Sequence, residues 1–147
     1  MRGITNIVIM TGSPFERKDL EWACYRLFPD ADRECFLDVQ SGLDYMLIRQ
    51  GKDVKEHARR WLVLADAVMP VIPDLGEDDK AGEYVLKQMR KYLGGNQAGD
   101  VAVILVGDGP EGSVPSGLYP GCPGYLAYSP FSKPDDAIVD LMDRLGN

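Results

Sequence analysis

Glu83 stands where an apolar run gives way to a helical pattern, in the stretch "VIPDLGEDDKAGEYVLKQMRKYL" (71–93). Four acidic residues and two glycines precede it. A glutamate in the first turn of a helix sits where the helix dipole favours negative charge. An anion held there is suited to stabilise the positive, oxocarbenium-like sugar that forms when an N-glycosidic bond breaks, and it can accept hydrogen bonds from ribose hydroxyls. The plain alternative is that Glu83 simply starts the helix, because acidic residues favour that position. Gly82 adds weight to a ligand: glycine inside a first turn costs on the order of 1 kcal/mol relative to alanine, and close approach of a ligand or backbone is one reason to keep it.

A second group of candidates lies in "TGSPFERK" (11–18). The hydroxyls of Thr11 and Ser13 and the backbone around Gly12 and Phe15 could receive a ribose or phosphate, while Ser13 before Pro14 equally suits the cap of a helix. One glycine makes neither a P-loop nor a dinucleotide fingerprint. Metal chemistry has little support. His57 is the single histidine, and "GEDDK" (76–80) lacks the alternating spacing of a calcium loop, which makes it a solvated turn. The three cysteines, Cys24, Cys35 and Cys122, have no CxxC or Cys/His spacing. They indicate a reducing, cytoplasmic setting. Cys24 and Cys35 fall on apolar faces, and Cys122 in "PGCPG" is the one expected at the surface.

These residues need elements to position them. "ITNIVIM" (4–10) has strand length and β-branched content, and "TGSP" closes it. Leu20, Ala23, Cys24, Leu27 and Phe28 mark one helical stripe, stopped by Pro29 and Asp30. "ECFLDV" (34–39) predicts a second strand, and 40–52 a long loop with room for one helical turn. Val54, Ala58, Trp61, Leu62 and Ala65 predict a helix over 53–64, and "DAVMPVI" (66–72) a third strand with a bulge or an unpaired ladder position at Pro70. A helix over 80–93 carries Ala81, Val85, Met89 and Tyr92 on one face and ends at "GGN". "DVAVILV" (100–106) is the most apolar strand and predicts a central place. "GYLAYS" predicts the fifth strand, and Ala137, Ile138, Leu141, Met142 and Leu145 a final amphipathic helix.

Strands alternating with helices imply right-handed βαβ units and a parallel sheet covered on both faces. The expected fold is α/β, a single flavodoxin-like three-layer domain over 1–147 with five parallel strands in the order 2-1-3-4-5. Ligands of such sheets bind beyond the carboxyl ends of the strands at the switch point, which selects 11–18 and 73–83. The 147 residues, 45% of them hydrophobic, suffice for one core. A net charge of −7 disfavours nucleic acid as a partner. No apolar run approaches the roughly 20 residues needed to span a bilayer, so no membrane partner is expected.

In its order of elements the chain resembles the Toll/interleukin-1 receptor (TIR) family. "NIVIMTGSPFERKDLEWACYRLF" looks like that family's first strand, Ser-containing loop and first helix. "CFLDVQSGLDYMLIRQGKDVKEHARRWLVLADAVMPVIPD" is similar to its second strand ending in Asp, here Asp38, a long loop, a helix and a third strand. "VILVGDGPEGSVPSGLYPGCPGYLAYSP" is similar to its fourth and fifth strands. The resemblance implies that Glu83 cleaves NAD or a related nucleotide at the nicotinamide–ribose bond. Thr11, Gly12, Ser13, Phe15, Asp38, Asp74, Asp79 and Gly82 would then line the ligand. It implies no cofactor or metal beyond the nucleotide substrate, and self-association or pairing with other TIR-like domains in a signalling or immune role. Where the family has Trp and Cys before the glutamate, this chain has Asp79 and Lys80. A non-catalytic TIR-like interaction or nucleotide-sensing module is the alternative. "IVIMTGSPFERKDLEWA" and "ADAVMPVIPDLGEDDKAGEY" also look like nucleoside 2-deoxyribosyltransferases, in which the glutamate would be the nucleophile.

Overall fold

The structure, a computed structural model, describes residues 3–52, 59–92, 101–115, 121–130 and 132–145. Its elements run β1 (Asn6–Met10), α1 (Pro14–Leu27), β2 (Asp32–Phe36), α2 (Val39–Lys52), β3 (Trp61–Asp66), α3 (Ala81–Tyr92), β4 (Val101–Gly107), β5 (Gly124–Ala127) and α4 (Asp135–Asp143). The five strands form one parallel sheet in the order β2-β1-β3-β4-β5. This is the expected flavodoxin-like architecture.

Alternation along the inner strands sorts side chains onto two faces. Val8, Met10, Val63, Ala65, Val103 and Leu105 pack with α2 and α3 residues such as Met46, Val85 and Leu86. Ile7, Ile9, Leu62, Leu64, Ile104 and Val106 pack with Leu20, Cys24, Ile138 and Leu141 of α1 and α4. Because both faces are covered, β1, β3 and β4 read as unbroken apolar runs. The edge strand β2 is instead half-exposed along its length.

Three assignments from sequence are corrected. Residues 40–52, expected as a loop, lie in α2, whose buried Val39, Leu43 and Met46 repeat at i, i+4 and i+7. Gly42 obscured that pattern, and its role is close approach: a Cβ there would stand 2.7 Å from Met10 Cε of β1. The helix expected over 53–64 and the strand over 66–72 give way to β3 at Trp61–Asp66. In "WLVLA" every residue is buried, so periodicity cannot separate strand from helix. Pro70 follows the strand in a loop, where its missing N–H breaks no ladder. Its carbonyl and that of Val71 accept the N–H groups of Val39 and Gln40 at 3.0 and 2.8 Å, satisfying the start of α2. Val54, His57, Ala58 and the "GGN" stop lie outside the described residues.

Cys122, expected at the surface, is buried against β4 and α3. Burial pushes the Cys24 thiol up to about 12, so it acts as a small hydrophobe, as expected.

Gly124 opens β5 at φ +145, and a Cβ added there would stand 2.9 Å from the carbonyl oxygens of both Gly112 and Ser113. Neither backbone atom can step aside without breaking the turn that docks β5. Gly124→Ala is therefore expected to cost roughly 1–3 kcal/mol in urea denaturation. Gly76→Ala, with nothing within 4 Å of its added Cβ, should leave the midpoint nearly unchanged.

Candidate functional site

The register of the sheet decides what meets at its carboxyl edge. Met10 of β1 pairs with Ala65 of β3, so the next residues, Thr11 and Asp66, emerge side by side where the strand order reverses. This is the switch point at which open α/β sheets bind ligands.

The helix start then adds a second carboxyl. Ser13 caps α1, its hydroxyl accepting from Glu16 N–H at 3.3 Å. The cap rotates the first turn so that the Glu16 side chain points inward, leaving it only 6% exposed. There it accepts a short hydrogen bond from the Thr11 hydroxyl, whose oxygen in turn accepts from Ser13 N–H at 3.1 Å. The Asp66 carboxyl lies within reach of Glu16, the Thr11 hydroxyl and the Gly12 backbone. Its Oδ1 is nonetheless buried with no hydrogen-bond partner among the described residues.

That missing partner has a chemical explanation. Two ionised carboxylates offer only acceptors, and Thr11 has a single hydroxyl proton, which serves Glu16. A proton on Asp66 turns its carboxyl from acceptor into donor. Burial first, then the contact with Glu16, pushes the Asp66 carboxyl from 3.8 up to about 9. Like charges at this spacing cannot both ionise cheaply, which is the behaviour of paired carboxyls.

Of the residues expected from sequence, the structure brings Thr11 and Gly12 into this site. Ser13 serves as the helix cap. Phe15 points outward, 79% exposed. Asp38 is buried as the cap of α2, accepting from Ser41 N–H and Oγ at 2.7 Å each. Asp74, at φ 68, and Asp79 lie in the exposed turn after β3, part of the solvated stretch. Gly82 is buried because α3 runs against the strand end: a Cβ would stand 3.1 Å from Ala67 Cα. Glu83 opens α3 as expected, but faces solvent. Sequence reasoning missed Glu16 and Asp66. The signal for Asp66 was an acid ending an apolar run, hidden because the strand was started there instead of stopped.

The chain matches no family model and no curated protein. Solved structures do match. It is similar to the chemotaxis response regulator CheY4 of Vibrio cholerae, with a TM-score of 0.61 and 14% identity over 97% of this chain and 99% of that one. It is similar to the signal receiver domain of an HD domain-containing protein from Pseudomonas fluorescens, with a TM-score of 0.58 and 15% identity over 99% and 89%. A response regulator protein from Burkholderia multivorans gives 0.54 and 18% over 99% and 97%. At these identities the likeness establishes the fold.

These neighbours overturn the resemblance to TIR domains and to deoxyribosyltransferases. With it go the expected cleavage or transfer at the N-glycosidic bond of NAD and the hydrolase assignment. The confusion has a physical source: alternating strands and helices specify this sheet architecture without specifying what it does. Among the described residues no helix is long and apolar enough to cross a membrane.

The raised Asp66 predicts a pH dependence of stability. The folded chain keeps a proton on Asp66 that the unfolded chain releases above 3.8. The stability this group contributes is therefore full at acid pH and is lost as pH rises between about 4 and 9. Urea midpoints measured across that range should fall with pH in the native chain, and Asp66→Asn should flatten the decline.

Proposed function

We propose that the chain is a receiver-like signalling module that accepts a phosphoryl group on Asp66. The observation that carries this reading is the position of the Asp66 carboxyl: it ends β3 at the switch point, beside Thr11 and Gly12, in a fold shared with response regulators. In the reaction an ionised Asp66 oxygen attacks the phosphorus of a phosphodonor. The bond from phosphorus to the leaving group breaks, the leaving group departs with the electron pair, and an acyl phosphate forms. Water later returns it to carboxylate and inorganic phosphate.

The resting site holds this step back, because a protonated carboxyl is a poor nucleophile. That proton must first be lost. Magnesium is bound by one or two carboxylates together with phosphate oxygens, and the orphaned Oδ1 of Asp66 with the Glu16 carboxyl fits that donor set. Such an ion would supply positive charge against the phosphoryl oxygens. The Gly12 N–H and the amino end of α1 offer further positive poles at the same edge. A phosphoryl group adds close to two negative charges beside Glu16. It would displace Glu16 from Thr11 and so shift the capped first turn of α1, which is how the event would reach the surface and partner proteins.

The buried Glu16 also favours a second reading, in which the Glu16–Asp66 pair is permanent and the module works by constitutive association.

Incubation with acetyl phosphate, with and without magnesium, followed by intact mass spectrometry separates the two. Gain of one phosphoryl group that is lost in Asp66→Asn, and that without metal rises by more than about tenfold from pH 7 to pH 9 as Asp66 ionises, supports phosphoryl acceptance. An unmodified chain under every condition contradicts it and leaves constitutive association.

A further inference from the structure

Helix α1 carries two apolar stripes. Leu20, Ala23, Cys24 and Leu27 pack toward the sheet. On the opposite side Phe15, Trp22 and Tyr25 are exposed to 79%, 52% and 49%. Phe15, Lys18, Trp22 and Tyr25 follow one another at i, i+3, i+7 and i+10, the spacing of a seam along which one helix lies on another. A helix apolar on both sides is normally covered on both.

The outer stripe is the floor of a groove of about 660 Å³ between α1 and the edge strand β2. Trp22 and Tyr25 meet edge to face at 5.9 Å, and the Arg33 guanidinium from β2 lies over the Tyr25 ring at 5.0 Å, forming one wall. Arg17 and Lys18 line it from the helix. Against these three cations stands one carboxylate, Glu21, which lies 3.5 Å from Arg17. A positive groove on a chain of net charge −7 runs against the charge of the molecule as a whole.

We infer that this groove is a docking site for an acidic amphipathic helix of a partner protein. The aromatic floor takes the partner's apolar stripe, and Arg17, Lys18 and Arg33 receive flanking Asp or Glu side chains. At 14 residues α1 offers a seam of about 21 Å, matching a partner helix of three to four turns. The concave shape and the carboxylate inside it disfavour a bilayer surface. Three cations on an acidic chain are too few for a nucleic-acid backbone. The inference stands independently of the chemistry at Asp66.

The chain contains two tryptophans, and Trp61 is 1% exposed in the core, so a change in emission on binding reports Trp22. The probes are two tryptophan-free helical peptides with leucine at the seam positions, flanked by glutamate in one and by lysine in the other. The glutamate peptide is expected to give a saturable blue shift that weakens with salt. The lysine peptide should bind about tenfold more weakly or worse. Arg17→Glu with Lys18→Glu and Arg33→Glu should reverse that preference, and Lys18→Glu alone, at an exposed position, should reduce it in a chain whose fold is least disturbed. Equal binding of the two peptides, no shift with the glutamate peptide, or a shift produced only by anionic phospholipid vesicles or single-stranded oligonucleotide would each overturn the inference.

Discussion

Two carboxyl groups, Asp66 and Glu16, are brought together at one edge of the sheet, and the space holds only one negative charge comfortably. The backbone imposes this meeting. Register places Asp66 beside Thr11, and the Ser13 cap turns Glu16 inward from the first turn of α1. Thr11 can donate to only one of the two, so the second is completed by a proton. Under the proposed function, a cation or phosphoryl group added there would act on the start of α1 through Glu16.

The remainder of α1 is held firmly enough to transmit such a change. Arg26 near its end makes a two-pronged bond to Asp135 of α4, at 2.7 and 2.8 Å. Tyr128, just beyond β5, donates to Asp19 at 2.6 Å. Exposed ion pairs contribute modestly to stability, but this pair and the tyrosine fix α1 against α4 and the β5 edge. With the far end anchored, displacement of Glu16 would move the first turn, and Phe15 at the head of the aromatic groove belongs to that turn. The carboxyl pair and the exposed groove thus share the first turn of one helix.

The fold was legible because its signals were long and redundant. β1, β4, α1, α3 and α4 each have a clear period or an unbroken apolar run of the right length, and alternation of elements then selects the sheet order. Local reading failed where packing overrode pattern. Gly42 looked like a loop residue but is needed for α2 to approach Met10. In "WLVLAD" full burial erased the period, and starting a strand at Asp66 concealed a carboxyl that ends one. The site suffered most from that shift. The switch-point rule selects the loops after the first and third strands, and Thr11 lies at the end of β1 in one of them. Glu16 was indistinguishable from any charged residue at a helix start, since only the cap geometry reveals that it faces inward. Glu83 fitted every local rule for a helix-opening acid, and it is one, facing water.

Asp66 keeps its proton at neutral pH, and the rest of the site follows from that. Carbon-detected NMR titration of the side-chain carboxyls, assigned with Asp66→Asn, tests it directly. The account predicts one aspartate resonance that titrates near 9 and disappears in the variant. An Asp66 carboxyl titrating in the ordinary range, around 4, would contradict it.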